Sequence, residues 1–452
     1  MSQPEYKDTV SSWLGEIPAA WEVRRLKTLI AQPITDGPHE TPSFLPDGIP
    51  FLSVDGIQNG DLVFDGCRYI SQAAHEEYQR KCAPRYNDIL IGKAASTGKI
   101  ARVKVDFEFS VWSPLALIRP NQPEAQPNFL EYALKNITTQ AQIDCLCTAN
   151  TQKNISMRDI PTLVLCVPHA NKQRRIAAYL DEQTAKIDRL MDMRRRQMVL
   201  LKEQRAALIQ QAVTRGLNPN APMKDSGLPW QPDIPKSWSI LQIRRLISFI
   251  TSGSRGWAEF YSDEGDIFVQ SGNLTRSMTL DINGAQRVQP PTGAEGERTK
   301  IAINDVLICI TGALTGNVAL VDFDPPTAYV NQHIALLRPR LERIEPKFMS
   351  FVLWSVSGQI QFKLAEYGGT KQGLGLNDVR HAFIAVPPLA EQRDILAFIE
   401  TKTEKFNSLL SAYSRQLTLL AEYRAALIHE CVTGQRPVPE PSFPAEGTAH
   451  AL

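Results

Sequence analysis

Two short stretches of this chain carry residue types that do chemistry in other spacings. Gly92-Lys93-Ala94-Ala95-Ser96-Thr97-Gly98-Lys99 has the composition of a loop that cradles phosphates with backbone N–H groups and a lysine. Its glycines stand one residue too far apart, and Ile100 occupies the place of a Mg2+-binding Ser or Thr, so no ATP site is expected. Asp324-Pro325-Pro326-Thr327 nearly matches the tetrapeptide of amino-methyltransferases, whose aromatic last residue stacks on a flipped base. Thr327 cannot stack, and no Gly-rich cofactor loop precedes it; Pro-Pro marks a plain turn. The seven histidines show no metal-ligand spacing. The seven cysteines, odd in number and without a Cys-x-x-Cys pair, argue against disulfide scaffolding and structural zinc. No catalytic constellation is visible, and a non-catalytic protein is expected.

The chemistry these residues suit better is contact with DNA. Lys93, Ser96, Thr97 and Lys99 lie between two predicted strands, where small residues and Gly let backbone N–H groups approach phosphates. The counterpart loop in the second half carries Thr311, Thr315 and Asn317. Gln152, Lys153 and Asn154, with Thr370, Lys371 and Gln372 opposite, form a second pair of loops, because Asn and Gln can read adenine and Lys can read guanine. A third candidate is Ser252 to Trp257, where Ser252 and Arg255 can touch DNA and Trp257 packs; His39 sits in the equivalent loop of the first half. A solvated hairpin or a structural loop histidine would use the same residue types, so both readings stay open.

What positions these loops is a duplication. Val167 to Thr214 lies over Val386 to Thr433 with a constant shift of 219 residues, and 21 of the 48 pairs are identical, against roughly three expected from average composition. Lys7-Asp8, Trp13, Ile17-Pro18 and Trp21 return as Lys224-Asp225, Trp230, Ile234-Pro235 and Trp238. Each copy therefore reads as a variable globular half followed by a long helix, predicted over Lys172–Arg215 and Leu389–Val432 and roughly 65–70 Å long. Short apolar runs such as Ile89–Ile91, Ile100–Val103 and Leu115–Ile118 predict strands, and helices are expected near 127–147 and 346–367. Leu180, Ile187, Leu201 and Leu208, matched by Ile399, Phe406, Leu420 and Leu427, form a heptad seam, with Leu190 and Leu409 at its inner positions. Gln183, Arg194, Gln197 and Gln204 interrupt it in copy one; Lys402, Tyr413, Gln416 and Tyr423 do so in copy two. The simplest arrangement is an antiparallel pair holding two α+β halves at opposite ends, a pseudo-twofold object suited to duplex DNA.

The net charge of +1 over 452 residues is low for a DNA binder. Residues 166–217 hold 11 Lys/Arg against 5 Asp/Glu, while residues 1–165 hold 16 against 19, so positive charge concentrates on the first long helix. No apolar run approaches the ~20 residues that span a bilayer, and the polar N-terminus lacks a signal-peptide core, so a cytoplasmic protein is expected.

The opening Lys7-Asp8 … Trp13-Leu14-Gly15-Glu16-Ile17-Pro18 … Trp21 resembles that of specificity subunits of type I restriction-modification enzymes. So do Asp36-Gly37-Pro38-His39, Thr151-Gln152-Lys153-Asn154-Ile155-Ser156 and the helix-opening Val386-Pro387-Pro388-Leu389-Ala390-Glu391-Gln392-Arg393. The resemblance runs from residue 7 to about 435 in the family's order. It departs at Val167-Pro168-His169-Ala170-Asn171-Lys172-Gln173-Arg174, which lacks the second proline and the Glu, and at Lys371-Gln372-Gly373-Leu374, which replaces Gln-Lys-Asn-Ile. The resemblance implies target-recognition domains at 1–166 and 218–385 and spacer helices at 167–217 and 386–435; the tail at 436–452, rich in Pro, Glu and Ala, is expected to be disordered. It implies that each recognition domain reads one part of a split, asymmetric site in double-stranded DNA, and that the helices set the gap. It also implies docking of two methyltransferase subunits and the joining of restriction (motor-nuclease) subunits. No cofactor is expected on this chain; S-adenosylmethionine, ATP and Mg2+ belong to the partner subunits. The alternatives are a self-sufficient DNA adenine methyltransferase, which lacks its motifs here, and a coiled-coil scaffold without DNA readout.

Overall fold

The computed structural model describes residues 5–9, 11–149, 153–253, 255–290, 293–366 and 373–439. It divides into two compact units, one of residues 1–194 with 414–452 and one of residues 195–413. Each unit therefore combines a globular half with the start of the helix that follows it and the end of the other long helix. The helices are α1 (Gln72–Gln79), α2 (Pro127–Lys135), α3 (Ile137–Leu146), α4 (Ala170–Arg215), α5 (Ala294–Thr299), α6 (Pro346–Trp354), α7 (Val356–Ala365), α8 (Leu376–His381) and α9 (Leu389–Thr433). Among the described residues no helix is long and apolar enough to cross a membrane.

The first unit is built around an antiparallel sheet of four strands, ordered Ile100–Arg102, Ile89–Gly92, Leu115–Ile118, Thr35–Asp36. Its two central strands are buried along their whole length, and side-chain alternation divides them between two cores. Ile89, Ile91, Ala116 and Ile118 join α2 and segments of α4 and α9 in one cluster. Leu90, Leu115 and Leu117 face Phe109 and Val111 in the other. That second core is closed by a sheet in which Ser110–Val111 pairs parallel to Ile49–Leu52, with Arg68–Ile70 beyond. The second unit repeats the design, with Val306–Cys309 and Ile334–Pro339 central in one sheet and Asp266–Val269 parallel to Ala328–Val330 in the other. In both, the strand before the long helix, Val164–Val167 or Phe383–Val386, pairs antiparallel with an early strand, Glu22–Arg25 or Ser239–Gln242. The topology is the expected α+β class.

Where one helical stretch was expected in each half, the structure has two, broken at Asn136 (ψ 144) and Ser355 (ψ 163). Neither position is Pro or Gly, so nothing local announces the break. Side chains of the following helix satisfy the carbonyls it frees. Gln140 Nε2 donates to Leu134 O at 2.9 Å and Thr139 Oγ1 to Ala133 O at 2.7 Å; Gln359 Nε2 donates to Leu353 O at 2.8 Å.

The heptad seam also needs correction. Leu180, Ile187, Ile399 and Leu427 are buried, but Leu190 and Leu409 are 43% and 37% exposed. The second seam position lies four residues after the first, not three: Thr184, Met191, Met198, Arg205 and Ala212 on α4, and Thr403, Leu410, Leu417, Arg424 and Cys431 on α9, are all buried or half-buried. Either offset completes a heptad, and Leu190-Met191 and Leu409-Leu410 place apolar residues on both. The chosen offset puts Thr184, Met198 and Leu417 in place of Gln183, Gln197 and Gln416, and Arg205 in place of Gln204. In the first unit α4 and α9 run antiparallel, since Arg175 Nη2 donates to Val438 O (3.4 Å) and Arg424 pairs with Asp188 (2.9 Å). Packing extends past α9: Val438 is buried and Arg436 Nε donates to Glu430 at 2.7 Å. The expected disordered tail therefore does not begin at Arg436; residues 440–452 lie outside the described residues.

Candidate nucleic-acid interface

The candidate loops stand on a frame whose central hydrogen bonds recur in both units. Asp88 is buried and accepts two hydrogen bonds from Arg119, Nε at 2.9 Å and Nη2 at 2.7 Å, and one from the Arg85 amide at 2.8 Å. Asp305 does the same with Arg338, both at 2.8 Å, and with the Ala302 amide at 2.8 Å. The bonds from the carboxylate hold each guanidinium above its ordinary pKa, against a smaller opposing effect of burial. The preceding residues, Asn87 (φ 72) and Asn304 (φ 73), adopt the left-handed conformation that Asn tolerates best among residues with a Cβ. The long helices are tied in by a buried glutamine. Gln173 Nε2 donates to Pro168 O and Glu124 O while its Oε1 accepts from the Gln126 amide; Gln392 repeats this with Pro387 O, Arg343 O and the Glu345 amide. Each amide accepted is at the N-terminus of α2 or α6, so one side chain fixes the helix against the recognition half.

In the first unit the hairpin and the following loop are brought together. The Ile155 amide donates to Lys93 O at 2.9 Å, Thr97 Oγ1 donates to Lys153 O at 2.6 Å, and Ala94 bridges Asn154. Ala95 (φ 61) and Gly98 (φ 87) turn the hairpin through left-handed backbone. Lys93 itself points inward: its side chain is 11% exposed and its Nζ lies 2.5 Å from Asp36. Lys81 reaches the same carboxylate at 2.5 Å, and His39 Nε2 lies 3.0 Å from it. Burial alone would raise the Asp36 carboxyl, but the two ammonium groups outweigh it and hold the carboxyl below its ordinary value. Gly37 follows Asp36 where a Cβ would stand 1.8 Å from Val111 O, so only glycine lets the His39 loop leave the sheet this way. Outward-facing groups are His39 (70% exposed), Lys99 and Lys153, the last with Asp144 at 3.0 Å; Asn154 is exposed and Ser96 and Thr97 are half-buried.

The second unit keeps the backbone plan and changes the side chains. The Leu374 amide donates to Ile310 O at 2.8 Å and Thr311 bridges Gly373, matching Ile155 and Ala94. Ile310 stands where Lys93 stands, and Ser252 where Asp36 does. Gly253 again makes a close approach, its Cβ position 2.0 Å from Val330 O. Thr315 Oγ1 donates to Gly312 O and Asn317 Nδ2 to Leu274 O, so both are committed inward. Ser252 O accepts from Arg298 at 3.2 Å, Arg255 is exposed, and Trp257 is buried against Phe268 and Tyr329. Gln152, Thr370, Lys371 and Gln372 lie outside the described residues. Sequence reading missed Lys81, which nothing local links to Asp36. It also missed Gln332 and His333, a polar pair beside the second hairpin, where the Ile310 amide donates to His333 O; their signal was a polar break between Val330 and Ile334.

Gly92–Lys99 is the hairpin already described, and Asp324–Thr327 is irregular chain leading into the strand Ala328–Val330. Among the described residues no group of His, Cys, Asp and Glu is placed to hold a metal ion. A type I restriction modification DNA specificity domain is matched twice, over residues 18–197 and 268–418. The chain belongs to this family of type I specificity subunits. Similar proteins include the putative type I restriction enzyme MjaX specificity subunit of Methanocaldococcus jannaschii, 22% identical over 90% of this chain and 94% of that one. The type I restriction enzyme EcoBI specificity subunit of Escherichia coli is 23% identical over 78% of this chain and 73% of that one. A solved structure concerning complex assembly and conformational transition of the type I R-M system holds a chain of the same fold, with TM-score 0.70, 17% identity and coverage of 93% and 99%.

Proposed function

We propose that this specificity subunit is a non-catalytic reader of a split, asymmetric DNA site, with one part read by residues 1–166 and the other by 218–385. The helices of 167–217 and 386–435 set the gap and carry two methyltransferase subunits, with restriction subunits joining for cleavage. S-adenosylmethionine, ATP and Mg2+ are handled by those partners. What carries this reading is the pairing of a duplicated frame with unlike tips. The bonds of Asp88 and Asp305, and of Gln173 and Gln392, recur in both units, whereas the outward residues differ. Identical frames place two readers in the same way, and unlike tips make the two half-sequences different. Docking on the helices is supported by leucines exposed in both copies, Leu190 with Leu409 and Leu200 (56%) with Leu419 (63%). A partner that binds twice needs the same surface twice. Co-expression with the cognate methyltransferase subunit in a methylation-free host, followed by genome-wide mapping of modified adenines, tests the reading. One split motif with a fixed gap is expected; an assembled complex that modifies no defined motif would refute it.

A further inference from the structure

In the first unit Asp188 on α4 accepts two hydrogen bonds from Arg424 on α9, from Nε at 2.9 Å and from Nη2 at 3.2 Å. The shift of 219 residues relates Arg424 to Arg205 and Asp188 to Asn407. The second unit thus keeps the arginine and loses its acid. Arg205 Nε is buried with no hydrogen-bond partner, an arrangement that is destabilising unless something completes it. Its surroundings diverge in the same sense. In the first unit the Tyr132 hydroxyl donates to Asp181 at 2.8 Å, and Glu131 accepts from Arg102 at 3.1 Å and Lys135 at 2.6 Å. The counterparts of Tyr132, Glu131, Arg102 and Lys135 are Phe351, Ser350, Leu320 and Trp354, while Asp181 is matched by Glu400, which lines the cavity beside Arg205 and is engaged by Lys347 at 2.6 Å. Beside Arg205 the second unit has a cavity of about 570 Å3 whose lining includes Ser350, Phe351, Thr403, Glu404 and Asn407.

We propose that this cavity is a socket present once per chain, in which Arg205 receives an acidic side chain of a methyltransferase subunit docked on the helices, as Arg424 receives Asp188. The inference rests on the docking reading above and adds to it the residue that makes the two docking places unequal. A protein fits better than a small free anion for two reasons. Asp322 and Glu404 also line the cavity and repel a diffusing phosphate, whereas a protein can set basic neighbours against them. In addition, Val199 and Leu200 on α4 and Leu409 on α9 are 55%, 56% and 37% exposed, giving apolar area for a macromolecule to cover. A buried arginine paired across such a contact is a frequent anchor of protein interfaces.

The test is native mass spectrometry and titration of the full chain with its methyltransferase subunit, comparing wild type, Arg205→Ala and Asn407→Asp. Asn407→Asp supplies the missing carboxylate from within, so it should raise the thermal midpoint of the free chain while competing with the partner's acid. Both variants are expected to hold one methyltransferase copy as wild type does, and to release the other roughly tenfold or more readily. Wild type binding two copies, with both variants indistinguishable from it, would overturn the socket and leave docking intact. Wild type binding none would overturn docking and the socket together.

Discussion

In the first unit the strand Thr35–Asp36 ends in a carboxylate gripped by Lys81 and Lys93; in the second, Ser252 and Ile310 hold the places of Asp36 and Lys93, and the exposed Arg298 donates to Ser252 O. A few residues away, Asp88–Arg119 and Asp305–Arg338 agree to within 0.1 Å in their shared hydrogen bonds. The bonds that orient each globular half are therefore kept, while the inward tie beneath the hairpin is changed from an ion pair to an apolar contact position at Ile310. On the proposed reading, the shared bonds mark positioning residues and the unlike outward groups mark the candidate DNA contacts.

Removing the frame should have the largest effect. Deleting one partner of a buried ion pair strands the other, at a cost of about 3–5 kcal/mol. Asp88→Ala should approach that figure, because Arg119 is 18% exposed; Asp305→Ala should cost less, because Arg338 is 43% exposed. Hydrogen exchange should report each loss in its own unit, and equal loosening of both units would break the comparison. Smaller effects are expected at the tips. Lys153→Ala should relax or weaken one half-sequence and Arg255→Ala the other, by about 1–3 kcal/mol of discrimination; methylation mapping that showed either variant altering both halves would contradict separate readers. The smallest effect is a pH dependence of the first unit alone. Because the Asp36 carboxyl is held below its ordinary value, its contribution is present above the unfolded carboxylate range and lost as pH falls through the folded value. Local exchange near His39 should rise in acid, Asp36→Asn should abolish that rise, and the loop at Ser252 should show none.

Much of this was legible from sequence because it depends on pattern: the repeat, the helix ends near Arg215 and Leu389, and the strands at Ile89 and Leu115. What escaped depends on choices pattern leaves equal. Leu190 and Met191 both fit a heptad, and only packing selects Met191. Asn136 and Ser355 break helices through bonds from side chains four residues on. The grip on Asp36 joins residues 45 and 57 positions away, so Lys93 reads as a surface contact in sequence and is an inward tie in the structure.

The central claim, that two readers are held apart by the helices, is tested most directly by lengthening them. Seven residues inserted in both α4, after Arg194, and α9, after Tyr413, preserve the heptad and add about 10 Å, close to three base pairs of DNA. Mapping methylated adenines for this variant should return both half-sequences unchanged with a gap longer by about that amount. An unchanged gap, or altered half-sequences, would contradict the account.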